Sequence, residues 1–332
     1  MCHKIGEGSK RRVDDWSYIM MDVRTYKHFF SGVGFRMIAC SIVINAMQIV
    51  FRVLLIQAGV DIQRDYNIEF AVAMIPTYLI GYPVSYLIIG DGNDKRAIEK
   101  RRMKPAHFFI AFMMGYALMM IGNIIGLIVT YGIGVIKGEP VNNALQDIVM
   151  DSNIWIISIY TVLLAPVLEE LLFRKFLCDR IVKYGQGITI LLSGLMFGLF
   201  HGNFNQFFYA FFLGSFLAFI YVKTGNIKYT IGLHMMVNFI GSVVGGLFLR
   251  YVDLENLTPV SMLYTVLYEL FVYGISIAGF VLLLINLSKF KIYERFNPME
   301  KELRYKLSLV NVGMILYYAL FLAMMIAEAL FG

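Results

Sequence analysis

Charge is scarce in this chain. Only 16% of its 332 residues are Asp, Glu, Lys or Arg, 59% are hydrophobic, and mean hydropathy is +0.68. A soluble domain carries about 25% charged and roughly 45–50% apolar residues. The excess stands in long uninterrupted runs, and a membrane span needs about 20 mostly apolar residues, so a soluble globular fold is excluded. Cysteine is nearly absent. Cys2, Cys40 and Cys178 make no disulfide framework, since Cys40 falls inside an apolar run and the other two lie beside basic segments. The N-terminus also lacks the apolar core of a secretory signal. Residues 1–30 hold Lys4, Lys10, Arg11, Arg12, Asp14 and Asp15, and are expected to remain as a cytosolic segment. Val13, Trp16, Met20 and Val23 recur there at helical spacing, widened by Ile19, Tyr26 and Phe30. An amphipathic helix on the inner leaflet and a solvated tail abutting the first span both fit that stripe. The net charge of +6 calls for no nucleic acid, because basic loops of a membrane protein face the cytosol and meet anionic lipid of the bilayer.

The pattern predicts an all-α, polytopic transmembrane helix bundle of eight to nine spans with a buried polar cavity. Nine apolar stretches lie near 33–59, 69–90, 106–136, 154–178, 187–202, 206–222, 229–249, 260–288 and 308–331. They divide into three spans within 31–150, a core at 151–249 and two spans within 250–332. Basic residues concentrate in alternate loops: at 91–105, at 174–183, at Lys223 and Lys228, and at 289–306. With nine spans, that alternation puts the N-terminus in the cytoplasm and the C-terminus outside. Residues 91–100, DGNDKRAIEK, superficially suggest a calcium loop but lack the glycine and the terminal Glu at the required spacing, and read as a charged loop.

Ionisable residues at membrane depth usually face the bundle interior and mark function. The fourth stretch contains Pro166, Glu169, Glu170 and Arg174. Pro166 removes an intrahelical hydrogen bond and is expected to kink the helix just before the acids. Glu170 and Arg174, four apart, share a face in the favourable order. Glu169 points about 100° away and has no partner on its own helix, which suits a general base. The competing reading makes both acids structural ion-pair members. His201 closes the fifth stretch, ahead of Asn203, Asn205 and Gln206, and the seventh carries His234 and Asn238 four apart. Two donors so placed can stabilise an oxyanion, or simply join helices at about 1 kcal/mol. Taken together, a base, an imidazole and a donor pair in nearby segments describe a hydrolase site.

These residues resemble the three motifs of the intramembrane CAAX-protease and bacteriocin-processing (CPBP, or Abi) family, which includes type II CAAX prenyl endopeptidases. They are EExxFR at 169–174, FxxxH at 197–201 and HxxxN at 234–238, with Pro166, Gln206, Gly214 and Thr224-Gly225-Asn226-Ile227 agreeing between them. The resemblance covers roughly 155–245. It implies that Glu169 and His201 activate water, that His234 and Asn238 bind the oxyanion, and that Glu170, Arg174 and Phe197 support the site. Lys175 and Lys228 depart from the family pattern. The resemblance leaves the cofactor open: Glu169, His201 and His234 are the candidate zinc ligands, since a catalytic zinc takes three protein ligands and a water, while a metal-free glutamate site uses the same residues. The expected partner is a membrane-associated peptide or protein substrate. A non-catalytic immunity or sensor-regulating scaffold is the alternative, and a proton-relay transporter a third. The reading makes one demand on topology: the 202–206 turn must lie below the membrane surface and pack against protein, for His201 to reach the depth of Glu169.

Overall fold

A computed structural model of the chain describes residues 23–62, 65–90, 98–141, 152–252, 258–293 and 299–331. Every regular element among them is helical, as apolar surroundings demand, since a helix satisfies its backbone polar groups within one segment. Among the described residues eight helices are long and apolar enough to cross a membrane: α1 (Val23–Gln57), α2 (Tyr66–Gly90), α3 (Pro105–Lys137), α4 (Ile154–Tyr184), α6 (Phe204–Thr224), α7 (Ile227–Tyr251), α8 (Pro259–Lys289) and α10 (Val312–Phe331). The expected fifth span is instead a shorter helix, α5 (Gln186–Phe200), of 15 residues. At 1.5 Å per residue it reaches about 22 Å, short of the ~30 Å hydrocarbon thickness.

Local chemistry sets the ends. Asp65, Asn203 and Asn226 each cap the helix that follows, accepting from the backbone N–H of Asn67, Gln206 and Lys228. Thr258 and Ser261 form a capping box ahead of α8. Gly138, at φ 84°, ends α3 in the left-handed conformation. The expected last stretch, 308–331, is split. An amphipathic helix α9 (Lys301–Leu309) buries Arg304 and Ser308, and Asn311 accepts from the N–H of Met314 to start α10.

Packing places α5 at the centre of one core. Tyr26 and Phe30 of α1 lie against Tyr184, with ring centroids 5.1 and 5.0 Å away. These two residues of the expected N-terminal stripe are therefore buried in the bundle, not spread on a leaflet. Val13, Trp16, Ile19 and Met20, like Cys2 and residues 91–97 of the charged loop, fall outside the described residues. Tyr317 of α10 donates to the Met196 carbonyl of α5 at 2.9 Å. A second core joins α3, α6, α7 and α8. Cys40 and Cys178 are free and buried. Large apolar side chains such as Leu79, Leu87 and Ile136 point outward, the surface a bilayer would cover.

Two crossings matter for the site. Gly194 and Gly198 of α5 meet the Ser215 backbone and the Phe207 carbonyl of α6, and Gly214 of α6 meets the Phe197 ring. Small residues let these backbones approach closely. The α5–α6 turn packs in addition on α3, where a Cβ at Gly126 would lie 3.4 Å from the carbonyls of Phe204 and Asn205.

Candidate active site

Glu169 is the central residue of α4, equally far from Ile154 and Tyr184. The helix does not reach it as a uniform α-helix. Ser158–Leu164 and Leu171–Cys178 are π-helical, with a short α segment, Ala165–Glu170, between them. Pro166 supplies a cause. It has no N–H to donate, and the N–H of Ala165 reaches back to the Tyr160 carbonyl. In that wide register the Thr161 carbonyl would belong to residue 166, which is proline. Asn238 of α7 takes the vacancy, its Nδ2 donating to the Thr161 oxygen at 2.8 Å. One motif residue is thus tied to the carbonyl that another leaves free.

Glu170 and Arg174 form the expected pair: Arg174 Nε lies 3.0 Å from Glu170 Oε2, and both side chains are fully buried. Arg174 is held further. Its Nη1 donates to Ser193 Oγ at 3.1 Å, and its guanidinium carbon lies 5.0 Å over the Phe197 ring. Ser193 in turn donates to the Phe173 carbonyl at 3.2 Å. Ser193 was not singled out in the sequence, because one serine within an apolar helix gives no signal of its partner.

His234 enters from α7, 3% exposed, and lies between the two acids. Its Nδ1 is 3.2 Å from Glu170 Oε1 and its Nε2 is 3.7 Å from Glu169 Oε2. Glu169, without a partner on its own helix, therefore faces an imidazole from another. Its side chain is 17% exposed, against 0% for Glu170, so it is the carboxylate that a water can reach.

His201, at the end of α5, is half-buried. Its Nδ1 lies 2.8 Å from the Phe197 carbonyl. A carbonyl only accepts, so Nδ1 carries a proton, and in the neutral imidazole Nε2 is left as an acceptor. Among the described residues no ion pair or hydrogen bond joins Glu169 to His201 directly, and the imidazole that meets Glu169 is that of His234. Phe197 links the two imidazoles, its ring 4.9 Å from His201 and 5.8 Å from His234, edge-on to both.

The turn after His201 is satisfied locally. Gly202 adopts φ 69°, Asn203 Nδ2 donates to the His201 carbonyl at 3.0 Å, and its Oδ1 accepts from Gln206 N at 2.8 Å. The turn is half-buried throughout. Phe321 of α10 covers Phe200 with centroids 5.7 Å apart. Lys175 and Lys228, the departures from the family pattern, are exposed. Lys175 is bound to Asp179 at 2.6 Å.

Among the described residues no three His, Cys, Asp or Glu side chains converge as metal ligands. His234 turns one ring nitrogen to Glu170, and among the described residues no hydrogen bond or ion pair joins His201 to Glu169 or His234. Glu169, His201 and His234 therefore do not stand as a formed three-ligand zinc triad among the described residues.

No curated protein and no solved structure matches the chain. Residues 151–240, which hold every motif residue described above, match the family described as Rce1-like, type II CAAX prenyl endopeptidase.

Proposed function

We propose that the protein is an intramembrane endopeptidase that hydrolyses peptide bonds of membrane-associated peptides or proteins, with Glu169 as the general base. The observation that carries this reading is the asymmetry of the two acids. Glu170 is consumed by Arg174 and His234, while Glu169 is partly exposed with only a loose contact to His234. A paired, buried carboxylate cannot take a proton from water easily; its accessible neighbour can.

The steps follow from the atoms available. A water bridges the Glu169 carboxylate and the unprotonated Nε2 of His201. Glu169 accepts one water proton as the oxygen attacks the scissile carbonyl carbon. The resulting oxyanion is held by the Nε2–H of His234, whose Nδ1–H donates to Glu170, and by the second amide N–H of Asn238, the first being given to Thr161. Glu169 then returns the proton to the amide nitrogen, and the carbon–nitrogen bond breaks. Phe197 keeps both imidazoles and Arg174 in place throughout. An oxyanion donor of this kind is worth about 10²–10³ in rate.

The match of residues 151–240 to the type II CAAX prenyl endopeptidase family directs the choice of probe. The purified chain in lipid nanodiscs should cleave an internally quenched, farnesylated peptide ending in a CAAX sequence, with fragments identified by mass spectrometry. Glu169→Gln and His201→Ala should each abolish measurable turnover without lowering the unfolding temperature, and activity should survive prolonged chelation. Cleavage by both variants at the wild-type rate would refute catalysis at this site and leave a scaffold role. Loss of activity to a chelator, restored by zinc alone, would overturn the metal-free mechanism.

A further inference from the structure

The matched family segment begins at residue 151, yet part of the wall around Glu169 comes from α2, well before it. Tyr78, Tyr82 and Tyr86 recur every four residues and so share a face of α2. Tyr78 lies within a π-helical turn, Thr77–Gly81, that ends just before Tyr82, and Gln48 of α1 braces it by donating to Thr77 Oγ1 at 2.8 Å and the Ala73 carbonyl at 3.1 Å. The three rings form a ladder with centroids 6.0 and 6.1 Å apart. Each end is fixed against α4: Tyr78 stacks on Tyr160 at 5.7 Å and Tyr86 on Phe176 at 5.0 Å.

The hydroxyls divide into two kinds. Tyr86 donates to the Leu168 carbonyl at 2.9 Å, one residue before Glu169, and so ties the two helices together. Tyr78 and Tyr82 make no hydrogen bond among the described residues, although Tyr82 is only 4% exposed. Both lie within electrostatic reach of Glu169. Tyr78 is half-buried, and neither hydroxyl is among the sealed-off polar atoms that lack a partner, so both are free to take a partner from outside the chain.

The proposed reaction creates such a partner. A peptide bond is open to attack only in extended backbone, which strips N–H and C=O groups of their intrahelical partners where no bulk water replaces them. A tyrosine hydroxyl both donates and accepts. We infer that Tyr78 and Tyr82 are substrate-contacting residues, whose hydroxyls hydrogen-bond the peptide units flanking the scissile bond. This inference rests on the endopeptidase reading and adds to it a wall of the site from outside the family segment.

The test couples enzyme hydroxyl to substrate amide. The probe is the farnesylated CAAX peptide, plus two analogues in which a single peptide bond flanking the cleavage point is replaced by an ester. Tyr78→Phe and Tyr82→Phe keep the rings, and Tyr131→Phe, on the exposed face of α3, is the remote control. Each α2 variant should raise KM about 5- to 10-fold, the size of one lost hydrogen bond, with kcat and the unfolding temperature nearly unchanged. One ester analogue should be a poorer substrate for the wild type yet no poorer for the matching phenylalanine variant, a coupling that a purely structural role would not produce. Binding of the same peptides by the Glu169→Gln enzyme, read by fluorescence anisotropy, repeats the cycle without turnover. Additive effects of ester and variant, in both assays, would overturn the tyrosine role. Coupling in the binding assay with undiminished cleavage by Glu169→Gln would uphold it while sinking the role of Glu169. A wild-type protein that neither binds nor cleaves the peptide would remove both.

Discussion

Gly214→Ala tests whether the Phe197 ring is what keeps the two imidazoles in register. A Cβ added at Gly214 would stand 2.6 Å from Phe197 Cδ1 and 3.2 Å from its Cβ and Cγ. Carbon atoms prefer about 3.5–4.0 Å, so the ring must move by about 1 Å. It has little room to do so, with Phe173 at 5.1 Å, His201 at 4.9 Å, His234 at 5.8 Å and the Arg174 guanidinium at 5.0 Å. Overpacking of this kind costs about 1–3 kcal/mol of stability. The effect on turnover should be larger, since a 1 Å misplacement of reacting groups can cost about 10²-fold. The measurement pairs kcat/KM on the quenched peptide with thermal unfolding in the same nanodiscs. Gly214→Ala combined with Phe197→Leu should recover much of the stability by freeing space, yet remain slow because the shared ring is gone. A Gly214→Ala enzyme that is as fast as the wild type would refute the claim that Phe197 sets the imidazole positions.

Further outcomes follow from single contacts. Tyr317→Phe removes the hydroxyl that donates to the Met196 carbonyl at 2.9 Å, and should cost about 1 kcal/mol on chemical unfolding while leaving kcat unchanged. Asn238→Leu loses both the Thr161 bond and an oxyanion donor. It should slow turnover by roughly 10²-fold or more with a loss of only about 1 kcal/mol in stability. Because Cys40 and Cys178 are buried and free, a Cys2→Ser protein should resist maleimide until it unfolds, as read by labelling stoichiometry against temperature; rapid labelling of the folded protein would contradict the packing around α1 and α4.

What could be read from the sequence was what is local. The Glu170–Arg174 pair needs only a helix and a spacing of four, and it forms as expected. The spans follow from composition, because lipid leaves helices as the form for such runs. The neighbours of Glu169 were not legible in this way. Its direction was read at 100° per residue, but two π segments flank it and change the phase of everything beyond them. Whether His201 or His234 meets it depends on how α5 and α7 dock, which no periodicity encodes. Asn238 is an intermediate case. Pro166 announces that a carbonyl will be orphaned, and an asparagine is a suitable donor, but only the fold reveals that Thr161 is the carbonyl concerned. The tyrosine ladder lies beyond the reach of motif reading altogether, since in sequence it looks like three aromatics on an ordinary span.

The sequence also posed the demand that the turn after His201 lie below the surface, and packing on α3 gives it a scale. The turn meets α3 at Gly126, eleven residues before the helix ends at Lys137, which is about 16 Å along the axis. The residues between are almost all apolar, with Tyr131, Val135 and Ile136 exposed, so the hydrocarbon boundary belongs near Lys137 and not beside the turn. The short α5 and the sunken turn are then one feature. A helix of normal span length would carry His201 to the surface, whereas stopping after about 22 Å leaves its imidazole at the depth of mid-helix Glu169. Nitroxide labels at Asn205→Cys and Lys137→Cys, in a background with the native cysteines replaced, turn this into a depth measurement by power saturation with oxygen and a polar nickel chelate. The label at 205 should read about 10–15 Å deeper than that at 137, yet stay accessible to the nickel chelate, because substrate water must reach His201 past this turn. Equal depths would place His201 at the membrane surface and separate it from Glu169, and the water-activating arrangement would fail with it.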